Sequence, residues 1–186
     1  EDGSLGVKMP ESINEYFTAQ KEVAFGVTDG SVEVTEKSVS LSAKKGSLAA
    51  ADFGARSPQF LLECDVSLEE NGIAGFAFGN PRKGFKGYYA LALDAKRNCI
   101  HYEGCKLGGF DNIISTDPIA MTKFNFKPGV KHHVTLVAEN EIVILYIDDA
   151  KVLSSRIYNS LNGSHIALFS ATGDAVFENM TMKEPQ

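Results

Sequence analysis

The pattern at 59–69 limits what this chain can fold into more than any other stretch. Phe60, Leu62, Cys64, Val66 and Leu68 alternate there with Leu61, Glu63, Asp65, Ser67 and Glu69. A period of two sends successive side chains to opposite faces of an extended chain, so the first set points to a core and the second mostly to water. A helix would scatter the same residues around its axis. The run stops at Asn71-Gly72, and similar turn signals stand at Asp29-Gly30, Lys45-Gly46, Asn162-Gly163 and Thr172-Gly173-Asp174.

Strands are expected between these turns, at 22–28, 31–36, 38–43, 47–53, 59–69, 73–79, 87–94, 98–103, 111–115, 130–138, 141–147, 151–155, 164–170 and 174–183. Short strands at such spacing predict an all-β fold, a two-sheet antiparallel sandwich or jelly roll. The 142–147 strand is apolar on both faces, which predicts a central place in its sheet. Helix is confined to a turn or two at 10–17 and at 155–161, neither long enough to stand alone. With 186 residues, no repeat and no linker, the expectation is one sandwich over 21–186 preceded by a short lead, 1–20.

Two strands carry small residues at every second position. Gly75, Ala77 and Gly79 alternate with Phe76 and Phe78, and Ala90 and Ala92 with Tyr89, Leu91 and Leu93. If the small residues share a face, a ligand or a neighbouring domain can approach the backbone there; tight packing between sheets is the other reading.

Charge narrows the partners. Eighteen basic against 24 acidic residues give a net charge of -6, the wrong sign for nucleic acid or an anionic lipid surface. The longest apolar run, 142–147, is strand length, against the roughly 18 to 20 residues of a membrane span. Neither nucleic acid nor membrane is an expected partner. The sequence opens at Glu1 with no apolar leader, so its start reads as trimmed from something longer. Cys64, Cys99 and Cys105 show neither a CxxC nor a zinc spacing, and Cys64 is expected as a plain buried thiol.

The 130–154 hairpin, the Gly87-Tyr88-Tyr89 strand running to Asp94, and the closing strand from Ala175 to Met182 together resemble the concanavalin-like sandwiches of carbohydrate-active proteins. The lead, Asp2 to Pro10, is similar to the junction that follows the catalytic propeller in glycoside hydrolase family 32. The resemblance is to the C-terminal domain of a levanase, inulinase or invertase-like enzyme. It implies a catalytic propeller on the N-terminal side as partner, fructan or another polysaccharide nearby, and an extracellular or periplasmic setting.

The chemistry that the resemblance implies is not carried by this chain. Retaining glycosidases hold two carboxyl groups about 5 to 5.5 Å apart around a pocket. The family's Asn-Asp-Pro and Arg-Asp-Pro motifs are absent, and the only Asp-Pro is Asp117-Pro118 in an expected loop. Glu63-Cys64 matches the dipeptide of the family's acid, but with Glu63 on a solvated strand face beside Asp65, where nothing raises a carboxyl pKa. No nucleophile elbow, phosphate loop or cofactor motif occurs. His132 and His133 point to opposite faces; His101 and Glu103 share one, but two ligands make no zinc site and read as a surface pair. Asp148-Asp149 reads as a hairpin turn rather than a calcium cluster. No catalytic residue, metal or cofactor is therefore expected in this chain.

Sugar sites pair an aromatic platform with convergent polar groups. Asn80, Arg82, Tyr88, Tyr89, His101, Tyr102 and Glu103 flank the small-residue strands and are the candidate carbohydrate contacts. Fructan-binding modules similar to this domain carry Arg where Gly79 stands and Trp near Ser170, so no contact is transferred from them. The reading is a non-catalytic accessory domain of a fructan-acting hydrolase. A carbohydrate-binding module and a small sandwich-fold glycosidase are the alternatives.

Overall fold

A computed structural model describes residues 6–44, 47–79, 89–104, 118–157 and 165–186. The elements are α1 (Glu11–Tyr16), β1 (Phe17–Lys21), β2 (Val27–Asp29), β3 (Ser31–Val34), β4 (Ser38–Ala43), β5 (Ala49–Ala55), β6 (Gln59–Leu68) and β7 (Ile73–Gly79). They continue with β8 (Tyr89–Asp94), β9 (Cys99–Gly104), β10 (Ala120–Lys123), β11 (His132–Glu139), β12 (Ile142–Ile147), β13 (Lys151–Arg156) and β14 (His165–Pro185). No helix among the described residues is long and apolar enough to cross a membrane.

The pairings among these strands are antiparallel, and they sort into two sheets. Sheet A runs β3-β4-β14-β6-β11-β12-β13, with β1 beside the last residues of β14. Sheet B runs β2-β5-β14-β7-β8-β9-β10. The two strands expected at 164–170 and 174–183 are one long strand, shared between the sheets. It pairs in sheet B up to Thr172 and in sheet A from Gly173, whose φ of 76° lets the backbone turn from one sheet to the other.

The core fills the space between the sheets. Phe60, Leu62, Cys64, Val66 and Leu68 are buried there, as the alternation predicts, against Phe76, Phe78, Leu91, Leu93 and Tyr102 of sheet B. Each large apolar side chain among them contributes about 1.5–3 kcal/mol by leaving water. Asn71, Asn98, Asn140 and Asp148 take positive φ at the turns between strands, a conformation short polar residues tolerate best after glycine.

Several boundaries differ from the sequence expectation. Leu61, expected on the solvent side, is fully buried on the outer face of sheet A with Phe17, Val137 and Tyr146, and Met9 and Ile13 of the lead pack over them. The lead also explains the double-sided apolarity of β12. That strand lies second from the edge rather than centrally, and its outward Ile144 and Tyr146 join the cluster beneath the lead. Residues 22–26 form no strand, whereas β1 and β10 are additions to the expected set. β1 has one buried residue, Phe17, and forms because β14 runs past β4 and offers it an edge. Residues 155 and 156 of the expected second helix belong to β13, and 111–115 lie outside the described residues.

Candidate functional site

The small-residue face is a single face of sheet B. Cross-strand register sets Asp52, Ala167, Ala77, Ala90 and Glu103 in one row over β5, β14, β7, β8 and β9. The adjacent row is Ala50, Phe169, Gly75, Ala92 and His101. Alternation turns this face away from the sandwich core; its alanines pack with Ile73 and Phe169 in a separate buried cluster. Ala50, Ala77, Ala90, Ala92 and Ala167 are themselves fully buried. Four inter-strand steps of about 4.8 Å separate the ends of a row, roughly 19 Å.

Histidine–carboxylate sets stand at both ends. On β5 and β14, His165 Nδ1 lies 3.0 Å from each carboxylate oxygen of Asp52, and Asp52 Oδ1 also accepts the Gly54 N–H at 2.6 Å. The other end is denser. The four-residue turn from β8 to β9 places Asp94 opposite Cys99, with His101 and Glu103 following on the same side. Arg97, within that turn, folds back over them. Its Nε donates to Asp94 Oδ2 at 2.6 Å, its backbone N–H to Asp94 Oδ1 at 2.8 Å, and its terminal nitrogen lies 2.8 Å from His101 Nε2 and 3.4 Å from Glu103 Oε1.

His101 is thus enclosed by charge. Glu103 Oε1 is 2.7 Å from Nδ1, off the line of an aligned hydrogen bond, and the contact is best described as charge pairing. Asp94 Oδ2 is 3.3 Å from Nε2. Burial alone would raise the Asp94 carboxyl, but bonds from His101 and Arg97 outweigh it and hold the group below its ordinary value. Burial would likewise lower His101, and the Asp94 and Glu103 carboxylates reverse it, leaving the imidazole above its ordinary value. Burial pushes the Cys99 thiol up. An Asp94 that stays ionised cannot act as a general acid, and Asp94 and Glu103 flank one imidazole instead of facing each other across room for a sugar.

The sequence candidates divide accordingly. His101 and Glu103 come together, but as a buried set rather than the expected surface pair: they are 0% and 2% exposed. Tyr89 and Tyr102 turn the other way, into the sandwich, where their rings stack 5.8 Å apart and the Tyr102 hydroxyl donates to the Arg156 carbonyl. They offer no platform on the face that carries His101. Asn80, Arg82 and Tyr88 lie outside the described residues. Sequence reasoning passes over Asp94, Arg97, Asp52 and His165. The first two are within its reach, since a hairpin joining 87–94 to 98–103 sets Asp94 beside Cys99; Asp52 and His165 are 113 positions apart, and only the fold joins them.

Other residues stand where the sequence places them. Cys64 is buried, and desolvation raises its thiol pKa. Glu63 pairs with Lys183 at 3.3 Å, and Asp65, bonded by Asn179, is held below the usual carboxylate range, so neither resembles a catalytic acid. His132 is buried against Phe124 and Phe126, while His133 is exposed. Asp148 and Asp149 both have positive φ, as a type I′ turn requires, and Asp148 accepts from His132 Nδ1 and from the His133 N–H. Its carboxylate thereby ties the turn to the start of β11.

Comparison with solved structures places this geometry. The carbohydrate binding module CBM66 from Bacillus subtilis superposes with a TM-score of 0.68 at 20% identity, over 85% of this chain and 94% of that one. The fold is a concanavalin-like jelly roll. A β-fructofuranosidase from Aspergillus kawachii matches this jelly roll over 96% of its length with a TM-score of 0.63 and 14% identity, and a fructosyltransferase from A. japonicus over 84% with 0.58 and 16%. The jelly roll spans only 30% and 26% of those two chains. The likeness to the family 32 sandwich therefore holds in three dimensions as a likeness of fold. No protein-family model matches the sequence, and no curated protein matches it.

Proposed function

We propose that this jelly roll is a non-catalytic accessory domain of a fructan-acting glycoside hydrolase, packed against a catalytic propeller and acting outside the cell or in the periplasm. The supporting observation is the outer face of sheet A. Beside the buried cluster under the lead, Ser12, Ile13, Tyr16, Phe17, Val137, Glu139, Ile142 and Ile144 line a hollow of about 440 Å³. Tyr16 and Ile142 are each 50% exposed there, an apolar pair of the kind a neighbouring domain covers. The two fructose-acting enzymes, in which a sandwich of this fold is under a third of the chain, support the same arrangement. Placing Tyr16→Asp or Ile142→Asp in the protein that joins this domain to a propeller should lower its melting temperature by several degrees. Unchanged melting and unchanged fructan turnover would count against the reading.

A second reading, a glycan-binding module, is favoured by the small-residue face of sheet B and by the CBM66 match across nearly the whole of that module. Asn80, Arg82 and Tyr88, which adjoin β7 and β8 in sequence, are the proposed contacts, whereas His101 and Glu103 are buried. Calorimetric titration of the chain with levan, inulin and their oligomers decides it, and no heat at millimolar sugar would remove it. A glycosidase active site within this chain has the least support, because Asp94 is held ionised and Glu63 and Asp65 are tied to partners.

A further inference from the structure

The set at the end of β8 is a mixed donor set of the kind that gathers around a cation. Asp94, Cys99 and His101 each offer one ligand atom, all three are buried, and those atoms lie within 4.8 Å of one another. A carboxylate oxygen, a thiol sulfur and an imidazole nitrogen are the donors that zinc and its neighbours prefer. A tetrahedral ion with bonds of about 2.0–2.3 Å would need its donors roughly 3.5 Å apart, which side-chain adjustments of about 1 Å supply.

Two further observations point the same way. Glu103 Oε1 lies 2.7 Å from His101 Nδ1, close enough to take the place of the carboxylate behind a metal-bound histidine after a small ring rotation, and Nε2 lies on the Asp94 side. The Nε2 position is also in conflict. It lies 2.8 Å from a guanidinium nitrogen that can only donate and 3.3 Å from a carboxylate oxygen that can only accept. A protonated Nε2 suits Asp94 and opposes Arg97; a bare one suits Arg97 and opposes Asp94. A cation bonded to both Nε2 and Asp94 satisfies the two at once.

We propose that Asp94, Cys99 and His101 form a binding site for a borderline-soft divalent ion of the Zn²⁺ class, which exchanges with the Arg97 guanidinium. Arg97 is the group that leaves. Its side chain is 28% exposed while those of Asp94 and His101 are closed, so it has a path to solvent. The Cys99 thiol gives its proton to solvent as the sulfur–metal bond forms, and Glu103 remains behind His101.

The test uses Co²⁺ as a spectroscopic stand-in for Zn²⁺ on the full chain. Binding should give one equivalent of Co²⁺ with a sulfur-to-cobalt charge-transfer band, reversed by excess Zn²⁺. The band should vanish in Cys99→Ser, weaken at least tenfold in His101→Gln, and form more tightly in Arg97→Gln, where the competing cation is gone. That last variant separates a metal site from a closed ion-pair network, which would bind no cobalt with or without Arg97. A chain that binds no Co²⁺ even as Arg97→Gln overturns the proposal, as does a band that survives Cys99→Ser and disappears in Cys105→Ser. Should the variants fail to fold, titration of the unaltered chain with Zn²⁺ decides the matter: binding with release of the thiol proton into weak buffer supports the site, and no zinc bound refutes it.

Discussion

Gly75 has no room for a methyl group. A Cβ there would sit 2.0 Å from the Leu91 carbonyl oxygen, and since the obstacle is backbone, β7 and β8 would have to part. Gly75→Ala should therefore cost more than about 2 kcal/mol in denaturant unfolding. Gly173 provides the contrast. The nearest atoms its Cβ would meet belong to the flexible Glu69 side chain, so Gly173→Ala should cost about 1 kcal/mol, mostly from its positive φ. Equal losses at the two sites would contradict the close approach of β7 and β8. Asp65 gives a pH signature. Its pKa is lowered, first by the Asn179 bond and then by His133 and Lys131, with burial opposing. A lowered carboxylate stabilises the fold above the unfolded value near 3.9, and that contribution fades as pH falls through the folded value. Asp65→Asn should accordingly cost about 0.5–1 kcal/mol at pH 7, allowing for solvent screening, and little at about pH 2. A loss that does not change with pH would mean that the charge plays no part.

Alternation within one element indicates which way a side chain points, but not what covers it. In β6 the inward set is readable from sequence, because a period of two with charged residues between admits one assignment. Leu61 escapes that reading because its cover, Phe17 and the lead, lies more than forty positions away, and nothing local to β6 announces it. Leu61→Ala should thus behave as a core truncation, costing about 2–4 kcal/mol, whereas Ile142→Ala on the same outer face should be close to neutral. Chemical denaturation of both variants checks this, and similar losses would mean that the lead does not seal the sheet. The same limit applies to the candidate site. His101 and Glu103 are legible from their spacing in β9, and Asp94 from the hairpin that leads into it. Tyr89 and Tyr102 turn out on the other side because adjacent residues on a strand point to opposite faces, and the face that matters depends on which one the partner sheet occupies. β14 reads as two strands because its central Thr172-Gly173-Asp174 looks like a turn; the glycine instead serves a crossing between sheets.

At the scale of the molecule, the two sheets leave two outer faces with different characters. Sheet B turns out alanines bounded by histidine–carboxylate sets, and sheet A turns out an apolar hollow beside the lead. The charges on the sheet B face neutralise one another: Arg97 and His101 answer Asp94 and Glu103, and His165 answers Asp52. Such pairing suits a support or binding role better than acid–base chemistry, which needs a carboxyl free to hold its proton. If the domain stabilises a catalytic partner, as proposed, the melting temperature of the propeller-bearing protein will depend on this sandwich. Removing the sandwich should lower that temperature clearly, with loss of fructan turnover following heat inactivation. A propeller that melts at the same temperature and cleaves fructan equally well without it would rule out a stabilising role for this domain.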